Sequence, residues 1–167
     1  MSPDPAVERV GAAAAATGLP FDVVDCDPDL ADTAAFCEAY GYSLDESANC
    51  VVVVGKSDPP VHAACVVLAS TRLDVNGAVR RRLGTRKASF APADDVRAMT
   101  GMEIGGVTPV GLPAGLPLWI DARVAGCERV IVGAGGRSAK LLVPPALLVA
   151  LGGEVVDDLA RPAPTEG

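Results

Sequence analysis

The chain has 167 residues, a mean hydropathy of +0.33 and a formal net charge of −7. This length and hydropathy exclude a largely disordered chain and predict one domain with a sizeable core. The acidic balance excludes indiscriminate binding to nucleic acid through the overall electrostatic field, although a local basic surface stays possible.

The cysteines and the N-terminus indicate a cytoplasmic protein. The five cysteines are odd in number and show no CxxC spacing, which is typical of reduced thiols rather than of a disulfide framework or a zinc site. The N-terminus carries Asp4 and Glu8 and no basic segment, so it does not resemble a secretory signal. No apolar run is long enough for a membrane span. No metal ion and no cofactor is predicted.

In chain order, turn and capping residues divide the sequence into short elements. Helices are predicted over 5–17, 32–40 with Asp32 as the cap, 74–83, 92–99 and 144–151. Strands are predicted over 21–26, 49–54, 61–69, 87–90, 118–121, 129–132 and 140–143. The irregular alternation favours an α+β (mixed α/β) fold over a doubly wound parallel sheet. We expect a single domain over 1–158 and a flexible tail over 159–167.

A hairpin is predicted from the two β-branched runs that flank "GKSDPP". If the hairpin is symmetric about a turn over 56–59, Cys50 and Cys65 lie opposite each other. The turn can shift this register by one residue.

A long irregular segment, "GMEIGGVTPVGLPAG", occupies residues 101–115 and contains five glycines and two prolines. Loops of this length are uncommon in compact domains and are usually functional or disordered. Gly105 and Gly106 allow close approach of the backbone to a ligand, while Pro109 and Pro113 stiffen the segment. Such a backbone could hold a substrate or stabilise an oxyanion. A plain surface connection is the alternative.

Other catalytic patterns are weakly represented. The single histidine, His62, begins a predicted strand, where a surface position is more common than a catalytic one. The sequence has no HExxH motif, and "GAGGRS" over 133–138 lacks the residues of a phosphate-binding loop.

Three segments together resemble a known family: "RAMTGMEIGGVTPVGLP", "LWIDARV" and "ERVIVGAGGRSAKLLVPPALLVALGG". They are similar to the YbaK-type aminoacyl-tRNA deacylases, which include the editing domain of bacterial prolyl-tRNA synthetases. The resemblance implies a mixed, barrel-like curled β-sheet flanked by helices. It also implies trans-editing, in which the ester of a small amino acid such as Ala, Ser or Cys on a non-cognate tRNA is hydrolysed.

The resemblance implies a set of site residues as well. The loop backbone from Gly105 to Pro109 would hold the ester, and the substrate's own ribose hydroxyl would help to position the attacking water. The implied catalytic positions are Gly105, Gly106, Pro109 and Asn49. The implied substrate-binding positions are Thr33, Phe36, Val107, Thr108, Asp121, Gly133, Ala134 and Gly135.

One position departs from the family pattern. Members usually carry a lysine just before the first hairpin strand, and this chain has Asn49 there. A lysine would offer a point charge to the terminal phosphate or the ester, whereas asparagine offers neutral hydrogen bonds. This departure supports a second hypothesis, a tRNA- or protein-binding module with weak or no catalysis. Hydrolysis of another small ester or amide is a third.

The implied partners are the aminoacylated acceptor end of tRNA and, as a further candidate, an aminoacyl-tRNA synthetase. Because phosphate contacts dominate tRNA affinity, an acidic protein of this kind needs a local basic surface. The candidates are Arg80, Arg81, Arg82, Arg86 and Lys87, with Arg72 and Arg137 as weaker ones. The alternative for the basic run over 80–87 is a solvated helix end, where positive charges interact favourably with the helix dipole.

Overall fold

The computed structural model describes residues 5–103 and 106–162. The helices in these ranges are α1 (Pro5–Ala16), α2 (Thr33–Tyr40), α3 (Arg80–Leu83), α4 (Ala93–Thr100), α5 (Ala122–Ala125) and α6 (Pro145–Ala150). The strands are β1 (Asp22–Asp25), β2 (Ala48–Gly55), β3 (Val61–Leu68), β4 (Thr71–Leu73), β5 (Ala88–Phe90), β6 (Leu118–Asp121), β7 (Val130–Gly133), β8 (Ala139–Val143), β9 (Glu154–Val156) and β10 (Ala160–Pro162).

The strands form three hydrogen-bonded groups. The largest has the order β5-β2-β3-β6-β9, in which β2 pairs antiparallel with β3 and β5, and β6 pairs parallel with β3 and β9. An antiparallel sheet of order β1-β8-β7 and the pair β10-β4 complete the set. A single parallel bridge between Ser47 and Ile131 connects the first two sheets. The mixed α/β class predicted from the sequence is confirmed.

The central strand β3 is buried on both faces, which explains its unbroken apolar sequence. Ala64 and Val66 point into the main core, which also contains residues of β6, β7, β8, α1 and α6. Cys65 and Val67 point into a second cluster built around Trp119 and residues near the C-terminus. The large sheet therefore separates two apolar layers.

The hairpin register differs by one residue from the symmetric prediction. Cys50 lies opposite Val66, and Cys65 lies opposite Val51. The connection from Lys56 to Pro60 has an odd number of residues, so the pairing centre falls on Asp58 rather than between two residues. The predicted pairing of Cys50 with Cys65 is wrong for this reason.

The flexible tail was predicted to begin at residue 159, and this boundary is too early in the chain. Leu159 and Ala160 are buried, and the strand they lead into pairs with β4. The backbone N–H groups of both residues donate to the Asp121 carboxylate, at 3.1 and 3.3 Å. Residues 159–162 thus belong to the packed structure, and residues 163–167 lie outside the described ranges.

Candidate active site

A cavity of about 390 Å³ opens along β2, between the part of the strand that pairs with β5 and the end that lies next to β7. Strand β5 pairs with Val53–Gly55, and the Ala91 N–H just after it donates to the Val52 carbonyl at 2.9 Å. The bridge from β7 lies at Ser47, the residue before β2. The intervening edge of β2, from Ala48 to Val51, therefore faces the cavity rather than pairing with another strand. Further walls come from the N-terminus of α2, the start of α4, β7 and Lys140 of β8.

A hydrogen-bonded pair joins two walls of this cavity. The Thr33 hydroxyl, in the first turn of α2, donates to the Asn49 Oδ1 atom of β2 at 2.6 Å. The bond holds the Asn49 amide at the cavity wall, where an amide can both donate and accept hydrogen bonds. The structure thus brings together two residues that the resemblance assigned to the site.

Asp32 lies beside this pair and does not act as the predicted side-chain cap of α2. Its carboxylate instead forms an ion pair with Arg137 at 3.3 Å. The Arg137 Nε atom also donates to the carbonyl of Pro28 at 3.0 Å. These contacts tie the loop after β7 to the start of α2.

Phe36 forms the aromatic part of the wall. Its ring is buried and stacks on Tyr40 and Tyr42, with centroid distances of 4.7 and 5.6 Å. The Lys140 ammonium lies 5.7 Å from the centroid of the same ring. Lys140 is only 5% exposed, and desolvation by burial lowers its pKa from the ordinary lysine value.

The glycine-rich loop packs backbone to backbone against the turn after β7. Gly135 N–H donates to the Gly106 carbonyl at 2.7 Å, and Glu103 N–H donates to the Gly135 carbonyl at 3.0 Å. A Cβ on Gly106 would collide with the backbone of Gly136, and one on Gly133 would lie 2.6 Å from the Val107 carbonyl. Glycine is required here for close packing, which holds Val107 and Gly133 at the cavity wall.

Several residues implied by the resemblance lie away from this cavity, as far as the described residues show. Thr108 and Ala134 are fully buried, and the Thr108 hydroxyl accepts the Val110 N–H at 3.3 Å. Pro109 faces a separate groove beside α1. Gly105, a predicted catalytic position, lies outside the described residues.

Asp121 has a contact set that differs from the expected substrate-binding role. Its buried carboxylate accepts the two N–H bonds from Leu159 and Ala160 and forms an ion pair with Arg123 at 3.3 Å. It is absent from the described cavity lining. The structure gives Asp121 the task of anchoring the C-terminal segment.

The predicted basic surface divides into engaged and exposed residues. Arg82 forms an ion pair with Glu154 and lies 5.0 Å over the Trp119 ring, while Arg80 donates to the Asn76 carbonyl at 2.9 Å. Arg81, Arg86 and Lys87 have exposed side chains.

The described cavity lining supplies no activated side-chain nucleophile. Cys50 lines the cavity, but burial and the neighbouring Cys65 raise the pKa of its thiol far above the ordinary value, so it stays protonated at neutral pH. Ser47 also lines the cavity, but no histidine is among the described lining residues. His62 lies near the turn of the β2–β3 hairpin, opposite Val54.

The lining residues that were not predicted from the sequence include Ser47, Phe90, Ile131 and Lys140. Phe90 ends β5 at the cavity and is 59% exposed, which is unusual for so large an apolar side chain. The sequence feature that could have indicated Lys140 is a charged residue inside an otherwise apolar strand, "AKLLV".

In the described ranges no helix is long and apolar enough to cross a membrane.

Comparison with known proteins agrees with this architecture. A structure described as a candidate trans-editing enzyme for prolyl-tRNA synthetase superposes with a TM-score of 0.81 at 28% identity, covering 97% of this chain and 100% of that one. The hypothetical protein APE2540 superposes with a TM-score of 0.82 at 26% identity, covering 92% and 99%.

A candidate Cys-tRNA(Pro)/Cys-tRNA(Cys) deacylase, EbsC from Enterococcus faecalis, is 26% identical over 121 residues, which is 72% of each chain. The sequence profile of the aminoacyl-tRNA editing domain matches residues 27–151. The chain therefore has the editing-domain fold and belongs to the aminoacyl-tRNA editing domain family, whose members act on aminoacyl-tRNA.

Proposed function

We propose that this protein hydrolyses the ester bond of misacylated tRNA in trans, releasing a small amino acid such as Ala, Ser or Cys. The observation that carries the proposal is the cavity between α2, β2 and β7. Its walls join the Thr33–Asn49 pair to the backbone of Val107 and Gly133. This arrangement can hold an ester by hydrogen bonds without attacking it by a side chain.

The proposed reaction uses water as the nucleophile. The water oxygen attacks the ester carbonyl carbon, the bond to the 3′ oxygen of the terminal ribose breaks, and that oxygen takes up a proton. The products are the free amino acid and a tRNA with its 3′ hydroxyl restored. The neighbouring ribose hydroxyl orients the water, which fits a lining where Cys50 stays protonated and Ser47 has no histidine in the described lining.

Selection for a small amino acid fits the aliphatic part of the lining. Val52, Val107 and Ile131 line the cavity of about 390 Å³ together with the Asn49 amide. A synthetase discriminates between two amino acids that differ by one methylene by only about 1–3 kcal/mol. A second site that admits only small side chains and hydrolyses their esters therefore increases fidelity.

The tRNA body is proposed to approach over the exposed cations of the basic run. Arg81, Arg86 and Lys87 lie on the segment that leads into β5, and Phe90 at the end of that strand reaches the cavity. In this proposal these cations bind the phosphate backbone while the acceptor end reaches the cavity. An aminoacyl-tRNA synthetase that releases the misacylated tRNA is a candidate partner.

The decisive experiment is deacylation of a panel of Ala-, Ser-, Cys-, Thr- and Pro-tRNA by purified protein. Asn49→Ala tests the site, and Lys56→Met provides a matched control on the exposed hairpin turn. We expect selective loss of one or two small esters, slower with Asn49→Ala and unchanged with Lys56→Met. Background rates for every ester, with tRNA binding retained, would refute the deacylase proposal.

Background rates with tRNA binding retained would favour a binding module without catalysis. The observation that supports this alternative is that the wall position usually held by lysine is an asparagine occupied by a hydrogen bond from Thr33. Activity that does not depend on the tRNA would instead indicate a general small esterase.

A further inference from the structure

An exposed aromatic residue borders the cavity at the end of β5. Phe90 lies in the cavity lining and stays exposed, although its partner across the strands, Val53, is fully buried. Ala88, two residues earlier and on the same face of β5, packs against the second apolar cluster. The apolar cover of this face therefore ends before Phe90. Aromatic residues in the lining of a binding cavity commonly contact the ligand.

The position of Phe90 along β2 fits one part of the proposed substrate. Phe90 lies beside Val53, four residues beyond Asn49, and a strand rises about 3.3 Å per residue, so roughly 13 Å of strand separates the two positions. The free edge of β2 runs between them along the cavity. The sugar and base of an adenosine span a comparable length once the reach of the two side chains is included. An adenosine that has its ester at Asn49 and follows this edge therefore brings its base to Phe90.

The residues around Phe90 suit a flat base on a single strand. Ala91 and Ala93 also line the cavity, and their small side chains leave room for a planar ring. Arg86 and Lys87, just before β5, are exposed cations. Proteins that bind single-stranded nucleic acid combine cations for the backbone with aromatic rings on which bases stack. The 3′ end of tRNA is such a single strand.

We infer that the Phe90 ring stacks on the adenine base at the aminoacylated 3′ end of tRNA and so holds the ester beside the Thr33–Asn49 pair. This inference rests on the proposed function and adds the part of the substrate that is bound beyond the ester. Stacking contributes affinity for the base whatever amino acid the tRNA carries, because it involves only the flat face of the base. Selection of the amino acid is then left to the aliphatic lining.

Two non-hydrolysable probes separate the base from the rest of the substrate. The first is 3′-alanylamino-3′-deoxyadenosine, in which an amide replaces the ester, and the second is the same sugar amide with hydrogen in place of adenine. We expect the wild type to bind the first probe about 5- to 150-fold more tightly, the range for one stacked base. Phe90→Ala and Phe90→Leu should remove most of this difference, because neither side chain has a π face, whereas Phe90→Tyr should keep it.

Three further measurements show whether the loss is local. Val155 is exposed on β9, the opposite edge strand of the same sheet, and Val155→Ala should leave binding of both probes unchanged. Phe90→Leu should unfold at a Tm close to that of the wild type, since the replaced ring is exposed. Phe90→Trp adds an indole to a chain whose single tryptophan, Trp119, is buried. The adenosine probe should change the fluorescence of this variant, and the probe without a base should not.

A wild type that binds both probes equally, or neither, would overturn the inference, as would equal losses for both probes in folded Phe90→Ala. If the wild type prefers the adenosine probe through Phe90 but hydrolyses no aminoacyl-tRNA, the stacking contact stands and the deacylase proposal fails. If the wild type hydrolyses its ester and Phe90→Ala does so with the same KM, the stacking inference fails and the deacylase proposal stands.

Discussion

Replacing Gly133 by alanine should damage both the stability and the activity of this protein. The new Cβ would lie 2.6 Å from the Val107 carbonyl oxygen and 2.7 Å from that of Gly106. To reach an ordinary separation of 3.4 Å, the Val107 carbonyl must retreat by roughly 0.8 Å. Both obstacles are backbone atoms, which cannot turn aside as the end of a flexible side chain could.

The cost follows from these distances. Overpacking in a close-packed interior costs about 1–3 kcal/mol. The smaller entropy of the unfolded alanine chain offsets about 0.4–1 kcal/mol of that cost. Both short contacts are with backbone atoms, so the overpacking cost lies in the upper part of its range, at about 2–3 kcal/mol. The net loss is then about 1–2.5 kcal/mol, and Tm should fall by about 2–10 °C for a domain of this size. Because Val107 lines the cavity, a displacement of this size should reduce deacylation by roughly 10- to 100-fold.

Thermal unfolding and single-turnover deacylation measure these two effects. Gly11→Ala is the matched control, since its added Cβ meets nothing within 4 Å and it lies inside α1. That substitution should stabilise the protein by about 0.5–1 kcal/mol and leave activity unchanged. A Gly133→Ala variant with the Tm and turnover of the wild type would refute the argument that backbone packing sets the loop position.

Other variants separate the roles of neighbouring residues. Thr33→Val removes the hydrogen-bond donor to Asn49, which should lower the free energy of unfolding by about 1 kcal/mol and reduce kcat for deacylation. Unfolding curves and single-turnover kinetics measure the two effects, and a kcat equal to that of the wild type would show that the pair has only a structural role. Arg81→Ala should lower the slope of log affinity against log salt by about 0.7–0.9. Arg82→Ala should change that slope little and reduce stability by about 1 kcal/mol, because Arg82 is engaged with Glu154 and Trp119; the reverse pattern would contradict this division. Phe90→Ala should weaken tRNA binding about 5- to 150-fold if the exposed ring stacks on the terminal base, and unchanged affinity in a filter-binding titration would exclude stacking.

Local sequence signals predicted most of the helices and strands. The alanine run and Gly18 placed α1, and "GKSDPP" placed the hairpin, because these features depend on residues close together in the chain. The helix α5 and the strands β4, β9 and β10 were not predicted. The three strands pair with partners far away in the chain, β4 with β10 and β9 with β6. Such strands depend on neighbours distant in sequence rather than on their own pattern.

The predicted site residues came from the resemblance, and the structure places them in two different surroundings. Thr33, Phe36, Asn49, Val107 and Gly133 do line one cavity. Thr108, Ala134 and Asp121 lie in the packed interior instead, because a motif of the sequence does not distinguish residues that touch a ligand from those that support the loop.

The sequence by itself determined the class of the fold, the position of the glycine-rich loop and the family. Only the tertiary structure decided that the cavity opens along the free edge of β2, that Arg82 is engaged with Trp119, and that the cation in the described wall is Lys140 of β8. The physical reason is that a strand residue's surroundings are set by which strands pair beside it and which helix covers its face. Those pairings join residues as far apart as Asp22 and Leu142, and no local pattern specifies them.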